Sequence, residues 1–324
     1  MLLCGNAQEI NKTEANKLRT ILEVFFNPVE TDTQFLLANK NKINLGRHLF
    51  FDERLSTNAT ISCNSCHNLN AFGTNGSYYL DKHKNGKWFR DVPTLYNVHT
   101  LSIYNADGGI NTLKDKINDA FSNGFEMHVT DKNVIIDRLK AIEDYRILFN
   151  QVYVDDTNAV SFNNIVDALQ TFIKGLTTPA PIDKFIKGDN KALSKMQIQG
   201  GHIFNDKNCY SCHTGSNIGG QMIQKLGVEF NWPNQKDLGY YNIERNPDYK
   251  MFFRVSPLRN VEKTSPYFHD RTSKNLEEAV QWMGKYERGL DISASEAKKI
   301  SAFLKGLTGE IPSVYIKKPT KLVN

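Results

Sequence analysis

Two five-residue stretches, Cys63-Asn64-Ser65-Cys66-His67 and Cys209-Tyr210-Ser211-Cys212-His213, share the pattern C-x-x-C-H, and everything else in the chain can be placed relative to them. The pattern is the attachment signal for haem c: both thiols form thioethers with the porphyrin vinyls, and the adjoining histidine ligates the iron. A structural zinc site would need further Cys or His at ligand spacing, and a redox-active C-x-x-C has no use for a trailing histidine twice over. The two motifs consume four of the five cysteines and leave only Cys4, so no disulfide framework competes for them. Two covalent haems are therefore expected, one in each half.

Haem c is attached on the exported side of the bacterial membrane, so a periplasmic or otherwise extracytoplasmic protein is expected. Only Met1-Leu2-Leu3 stand before Cys4, without a charged n-region or a full apolar h-region. Leu3-Cys4-Gly5 reads either as a lipoprotein site with Cys4 lipidated or as a leftover thiol in a loose tail. The 324 residues suffice for two cores of ordinary size. No apolar run approaches the roughly 18 residues a membrane helix requires. A formal charge of +5 is weakly basic, and it falls further once each haem brings two propionates against one net positive ferric core. With lysines scattered along the chain this is too weak an asymmetry to argue for a nucleic-acid partner, none is expected, and a solvated surface is the favoured reading. A lysine-rich rim at one haem edge could still steer an acidic electron donor.

The patterning is mainly helical. Residues 1–13 are polar and read as a flexible segment; Leu18, Ile21, Leu22 and Phe25 then recur at helical spacing until Pro28. A short helix carrying Leu45, Leu49 and Phe50 delivers the chain to the first motif, and residues 68–92 read as a long, mobile loop. Residues 131–153, with Val134, Ile135, Leu139, Ile142, Leu148 and Phe149 on one face, read as one helix; residues 161–176, with Ile165, Val166, Leu169, Phe172 and Ile173, read as another. Gly175, Pro179 and Pro181 break the pattern, which divides the chain into a first domain over 14–176 and a second over 177–309. The tail 310–324, which carries no usable pattern, is a candidate to pack on the first domain. In the second half a helix over 193–204 leads to the second motif, a polar loop runs to about residue 250, and the last helices start at Ser273 and Ser293. Glu296 completes a capping box with Ser293.

The halves read as a duplication, with "FRDVPTLYNVHT" downstream of the first motif and "FRVSPLRNVEKT" downstream of the second. Met283 then stands where small cytochromes c return an axial methionine, and the matching first-half position is Ala120, which cannot ligate. The first iron is thus expected to be open, or closed by a residue of its own loop, whose nearest imidazole is His83. A His/Met iron suits electron storage; a vacant or bis-His iron whose loop ligand can leave suits a small oxidant. Such a pair collects electrons singly and spends them in twos, as reduction of hydrogen peroxide requires.

The sequence resembles the bacterial dihaem cytochrome c peroxidases over residues 45–309. The motifs carrying the resemblance are "LGRHLFFDERLS" before "SCNSCH", "VPTLYN", "GFEMH", and "SPLRNVEKTSPYFHD" followed by "LEEAVQWMG". It implies two cytochrome c-like domains. The peroxidatic haem would be on Cys63, Cys66 and His67, and the electron-transfer haem on Cys209, Cys212, His213 and Met283. It also implies His83 as the distal histidine of the peroxidatic iron, Glu126 as a distal acid that shuttles a proton between the peroxide oxygens, and His269 as a residue near the haem interface. A calcium ion between the haems would be held by Asp91, Thr264 and Pro266. The expected activity is reduction of hydrogen peroxide to water with electrons from a small cytochrome c or cupredoxin, by a homodimer; the alternative is a non-catalytic dihaem electron carrier or redox sensor. A related enzyme type that oxidises a protein substrate carries a tyrosine at the second haem, and Met283 argues against it.

The chain departs from the family at two places. Asn105, Ala106, Asp107, Gly108 and Gly109 replace a stretch with an inter-haem tryptophan, and Lys116 replaces a distal glutamine. Trp88 or Tyr104 could lie between the haems instead, although packed aromatics are the plainer reading. Met222 and Met251 compete with Met283 less well, His99 and His128 are fallback distal ligands, and His48 and His202 have no motif support.

Overall fold

The computed structural model describes residues 2–75 and 90–322, the side chains from residue 12 onward. His83 and Trp88 lie outside the described residues, as does the side chain of Cys4. In the first half the helices are α1 (Leu2–Phe25), α2 (Thr33–Ala38), α3 (Lys40–Phe51), α4 (Cys63–Cys66), α5 (Leu113–Ser122), α6 (Lys132–Lys140), α7 (Glu143–Val152) and α8 (Phe162–Lys174). In the second they are α9 (Pro181–Ile186), α10 (Lys195–Asp206), α11 (Tyr241–Glu244), α12 (Leu276–Arg288), α13 (Ala294–Lys305) and α14 (Ser313–Ile316). A two-stranded antiparallel ribbon, β1 (Ile223–Lys225) and β2 (Phe252–Arg254), pairs Ile223 with Arg254. The fold is predominantly helical.

Each half is organised on one close helix crossing. α3 crosses α8 at Gly46, where a Cβ would overlap the carbonyl of Ala168; α10 crosses α13 at Gly200, where a Cβ would overlap the carbonyl of Lys299. Only glycine lets the backbones approach so closely. Because the obstacle is backbone, Gly200→Ala is expected to cost about 1–3 kcal/mol, read as a lowered denaturant midpoint with unchanged m-value.

Around the first crossing, Ile165, Val166, Leu169, Phe172 and Ile173 of α8 are buried with Leu45, Leu49 and Phe50 of α3. Around the second, Ile198 and Phe204 of α10 meet Ile300, Phe303 and Leu304 of α13. The apolar period predicts these faces. It does not say what a face meets, and α1 shows the difference. Grouped with the first half by its place in the chain, α1 buries Ala15, Leu18 and Leu22 in the second-half core instead. Its backbone is helical from Leu2, where the polar composition suggested a loose segment. Ile311, Tyr315 and Ile316 of the tail pack on the first-half core, and the Tyr315 ring stands edge-on to Phe172 at 6.1 Å.

Two local readings need correction. Residues 131–153 form two helices, because Ile142 takes an extended backbone that turns its side chain inward, and Glu143 and Asp144 open a new helix with favourable negative charge. Val134 is left 41% exposed rather than on the buried face. At α12 the cap is Asn275, whose side chain accepts the N–H groups of Glu277 and Glu278, while the Ser273 hydroxyl donates to Glu278 at 2.6 Å. Ser293 caps α13 with Glu296 as the sequence predicts.

The duplication is visible atom by atom. Asn97 and Asn260 occupy matching places, both buried and both in the left-handed region, with φ of 62° and 61°. Asn97 donates to the Thr178 hydroxyl at 2.8 Å and Asn260 donates to the same oxygen at 2.9 Å. The N–H of Asn97 reaches Leu176 O, and that of Asn260 reaches Leu307 O. The two halves therefore meet at Thr178 through equivalent residues.

Candidate functional site

Both C-x-x-C-H motifs open onto one cavity of about 840 Å³ lying between the crossings, lined by Cys63, Cys66 and His67 on one side and Cys209, Cys212 and His213 on the other. Local hydrogen bonding orients each histidine. His67 Nδ1 lies 3.1 Å from both Gly73 O and Pro93 O, and His213 Nδ1 lies 3.3 Å from Ile218 O, so each Nδ1 faces carbonyls and must carry the ring proton. Nε2 is then the nitrogen with a lone pair to offer. Burial lowers both imidazoles below the ordinary histidine value, His213 to about 4, which keeps them neutral. Burial also pushes the Cys63 and Cys209 thiols up to about 12, the opposite of the thiolates that a redox-active pair or a zinc site needs.

The two walls are not alike. α12 brings Met283 to the cavity on the second side; on the first, α5 brings Ala120 to the matching position. Glu126 also lines the first side and is held there by two neighbours. Lys116 Nζ sits 3.0 Å from its carboxylate and 2.8 Å from Asp119, and Asn123 donates to it at 3.3 Å. Burial works to lower the Lys116 ammonium, yet Glu126 and Asp119 carry it above the ordinary lysine value.

His269 lines the cavity with its ring stacked on Phe253 at 4.3 Å, and its Nε2 is buried with no partner among the described residues. Asp91, Thr264 and Pro266 share the cavity wall. Burial pushes the Asp91 carboxyl up to about 6 against the pull of Arg271, whose Nε is 3.5 Å away. Tyr104 and Ala106 also line the cavity.

Other candidates fall away from it. His48, His99, His128, His202, Met222 and Met251 are not among the lining residues; Met251 is buried instead beside Trp232 and Phe253, and His202 Nε2 faces Glu14 O at 3.1 Å. Met127 and Arg254 are among the lining residues that sequence reasoning did not single out. Met127, beside Glu126, is packed in the first-half core, and Arg254 is placed by a ribbon too short for its alternation to be seen.

The comparisons with known proteins agree with this architecture. Residues 40–191 match the family model described as di-haem cytochrome c peroxidase. The chain is 35% identical to a cytochrome c551 peroxidase of Nitrosomonas europaea over 88% of its length and 85% of that protein. It is 31% identical to a cytochrome c551 peroxidase of Pseudomonas aeruginosa over 93% of its length and 89% of that protein. Among solved structures, a MauG-like protein associated with microbial copper homeostasis superposes with a TM-score of 0.75 at 25% identity, covering 86% of this chain and 93% of the other. With two cysteine-histidine motifs opening onto one cavity and relatives of this identity along nearly its whole length, the chain belongs to the di-haem cytochrome c peroxidase family.

Proposed function

We propose that this protein reduces hydrogen peroxide to water, taking two electrons one at a time from a small periplasmic redox protein, a cytochrome c or a cupredoxin. The observation that carries the reading is the inequality of the two cavity walls, Met283 on one and Ala120 with Glu126 on the other. The residues fit two haem c groups in two cytochrome c-like domains. Four cysteines and two neutral, Nδ1-protonated histidines face an extended cavity whose lining is mostly apolar. When bound, the haem on Cys63, Cys66 and His67 supplies the iron at which peroxide is reduced, and the haem on Cys209, Cys212, His213 and Met283 stores the incoming electron.

The chain's own groups account for the protons and the geometry. Peroxide reduction consumes two protons, and Glu126 is a lining carboxylate on the side without methionine, suited to move a proton between the two oxygens of the substrate. Lys116, standing in for a glutamine, donates to that carboxylate at 3.0 Å and holds it at the cavity wall. The carbonyls at 73 and 93 fix the His67 ring and raise its basicity as a ligand. His83 is the proposed removable ligand on that side. A calcium ion held by Asp91 and by oxygens of Thr264 and Pro266 is the proposed link between the halves. No group of three His, Cys, Asp or Glu placed to hold a metal ion exists among the described residues, so such an ion would depend on carbonyl and water oxygens, which a hard cation accepts. A homodimer and a periplasmic location, with Cys4 as a candidate lipid anchor, complete the proposal. No helix among the described residues is long and apolar enough to cross a membrane.

The Lys116–Glu126 ion pair and the replacement of the family's tryptophan stretch by residues 105–109 favour a second reading, a dihaem electron carrier or redox sensor. Peroxide turnover with a reduced cytochrome donor separates the two. The enzyme reading expects rates far above those of free haem at equal iron, and rates indistinguishable from free haem would leave only the carrier. Met283→Ala is expected to convert the second haem from low-spin His/Met, with loss of the methionine-to-iron absorption band in the oxidised protein; an unchanged spectrum would remove Met283 as the ligand.

A further inference from the structure

The loop after β1 is fastened across the last turn of α12, the helix that brings Met283 to the cavity. Gly227 donates its N–H to the Glu287 carboxylate at 2.6 Å, and Glu229 and Phe230 donate theirs to Tyr286 O at 3.0 and 3.4 Å. Val228 and Phe230 are carried on this fastened loop and are 47% and 53% exposed. Single exposed apolar residues are ordinary. Two on one pinned loop make an apolar centre that the backbone holds in place. Two residues on, Trp232 is buried with its ring 5.1 Å from Tyr286 and 5.3 Å from Trp282, and Met283 packs on the same cluster. Closely packed side chains therefore join the loop to the methionine.

The charge around this centre has one sign. Lys225 at the end of β1, and Lys285 and Arg288 at the end of α12, are exposed. The Lys285 ammonium lies over the Tyr286 ring at 5.3 Å, and the Arg288 charge acts on the Cys209 thiol of the second motif. Among the acids, Glu287 is drawn inward to the Gly227 N–H, Glu296 is paired with Lys207 at 2.8 Å, and Glu229 is exposed on the loop. Three exposed cations against one exposed acid make the face positive. On the first wall the balance is reversed, with Glu126 and Asp119 against Lys116. An apolar centre with a charged rim is the anatomy of a protein interface, and the sign of the rim selects the partner and speeds its approach.

We propose that this face, with Val228 and Phe230 ringed by Lys225, Lys285 and Arg288, is where the electron donor docks, and that the donor is a small redox protein with an acidic patch around its own redox centre. This rests on the dihaem reading above. One electron passes from the reduced partner to the ferric second haem, and no bond forms or breaks.

The test uses the holoprotein and one probe in two charge states, a basic mitochondrial cytochrome c and the same protein with its lysines succinylated. Binding is measured by isothermal titration calorimetry at low ionic strength, and electron transfer from the ferrous probe to the oxidised holoprotein by stopped flow without peroxide. The succinylated form is expected to bind more tightly and transfer faster. Lys285→Glu and Arg288→Glu together should weaken its binding about tenfold, and the variant should converge on the wild type near 1 M salt, where screening acts within about 3 Å. Phe230→Ser should weaken binding at every salt concentration. Tighter binding of the basic form would overturn the proposal, and so would a charge-reversed variant that binds the succinylated form as the wild type does. A Phe230→Ser protein that passes from dimer to monomer in sedimentation equilibrium with probe binding unchanged would also overturn it, since the face would then join two copies of this chain. Docking and transfer without any peroxide turnover would uphold this face and sink only the peroxidase reading. Fewer than two covalent haems by pyridine haemochrome would instead sink the dihaem reading beneath both.

Discussion

Replacing Glu126 by glutamine is expected to lower peroxide turnover by about 10²–10⁴-fold, the range that a positioned general acid or base contributes, while both haems stay attached and the Met283 side keeps its spectrum. The substitution preserves shape and hydrogen-bonding reach. Lys116, 3.0 Å away, would still face an amide oxygen, so packing changes little and the group that can take and return a proton is what disappears. Steady-state kinetics with saturating reduced donor check this. A loss smaller than about threefold would mean that the carboxylate beside Lys116 is a structural ion pair and that protons reach the substrate by another route.

The second large effect concerns folding. Asp183 and Arg259, with side chains 4% and 1% exposed, form a bidentate pair at 2.6 and 2.9 Å. The carboxylate also accepts the N–H of Val29 at 2.8 Å and of Ala180 at 2.7 Å, and Arg259 Nε donates to Ser216 O. One buried pair thus ties the exit of α1, the entry of α9 and the loop after the second C-x-x-C-H motif. Asp183→Asn would leave the guanidinium buried without its charge partner, at a cost of about 3–5 kcal/mol. Chemical denaturation should show it as a lowered midpoint; a change below 1 kcal/mol would mean that water reaches Arg259 in the variant.

What the sequence made legible was local or repeated. The C-x-x-C-H pairs, the apolar period of α8, the Ser293–Glu296 cap and the Met283/Ala120 register all lie within short windows or follow from aligning one half with the other. What it left dark depends on contacts between distant residues. Nothing in "PIDKF" marks Asp183 as the partner of Arg259, and the apolar face of α1 is equally compatible with either core. The polar stretch before residue 250 hides a three-residue strand, β1, and without its pairing to β2 Arg254 is one more arginine. Ser273 and Asn275 are both good caps, and only the path of the chain into α12 decides between them.

The central claim is that the two iron sites are unequal, since the place filled by Met283 on one wall is filled by Ala120 on the other. Electron paramagnetic resonance of the holoprotein, fully oxidised and then reduced by one electron per chain, tests it most directly. The account predicts two distinct ferric signals. The His/Met signal should vanish first on reduction, and the survivor should respond to an added small anion as an iron with an exchangeable position. Two irons with the same pair of strong ligands in both redox states, neither responding to the anion, would contradict it.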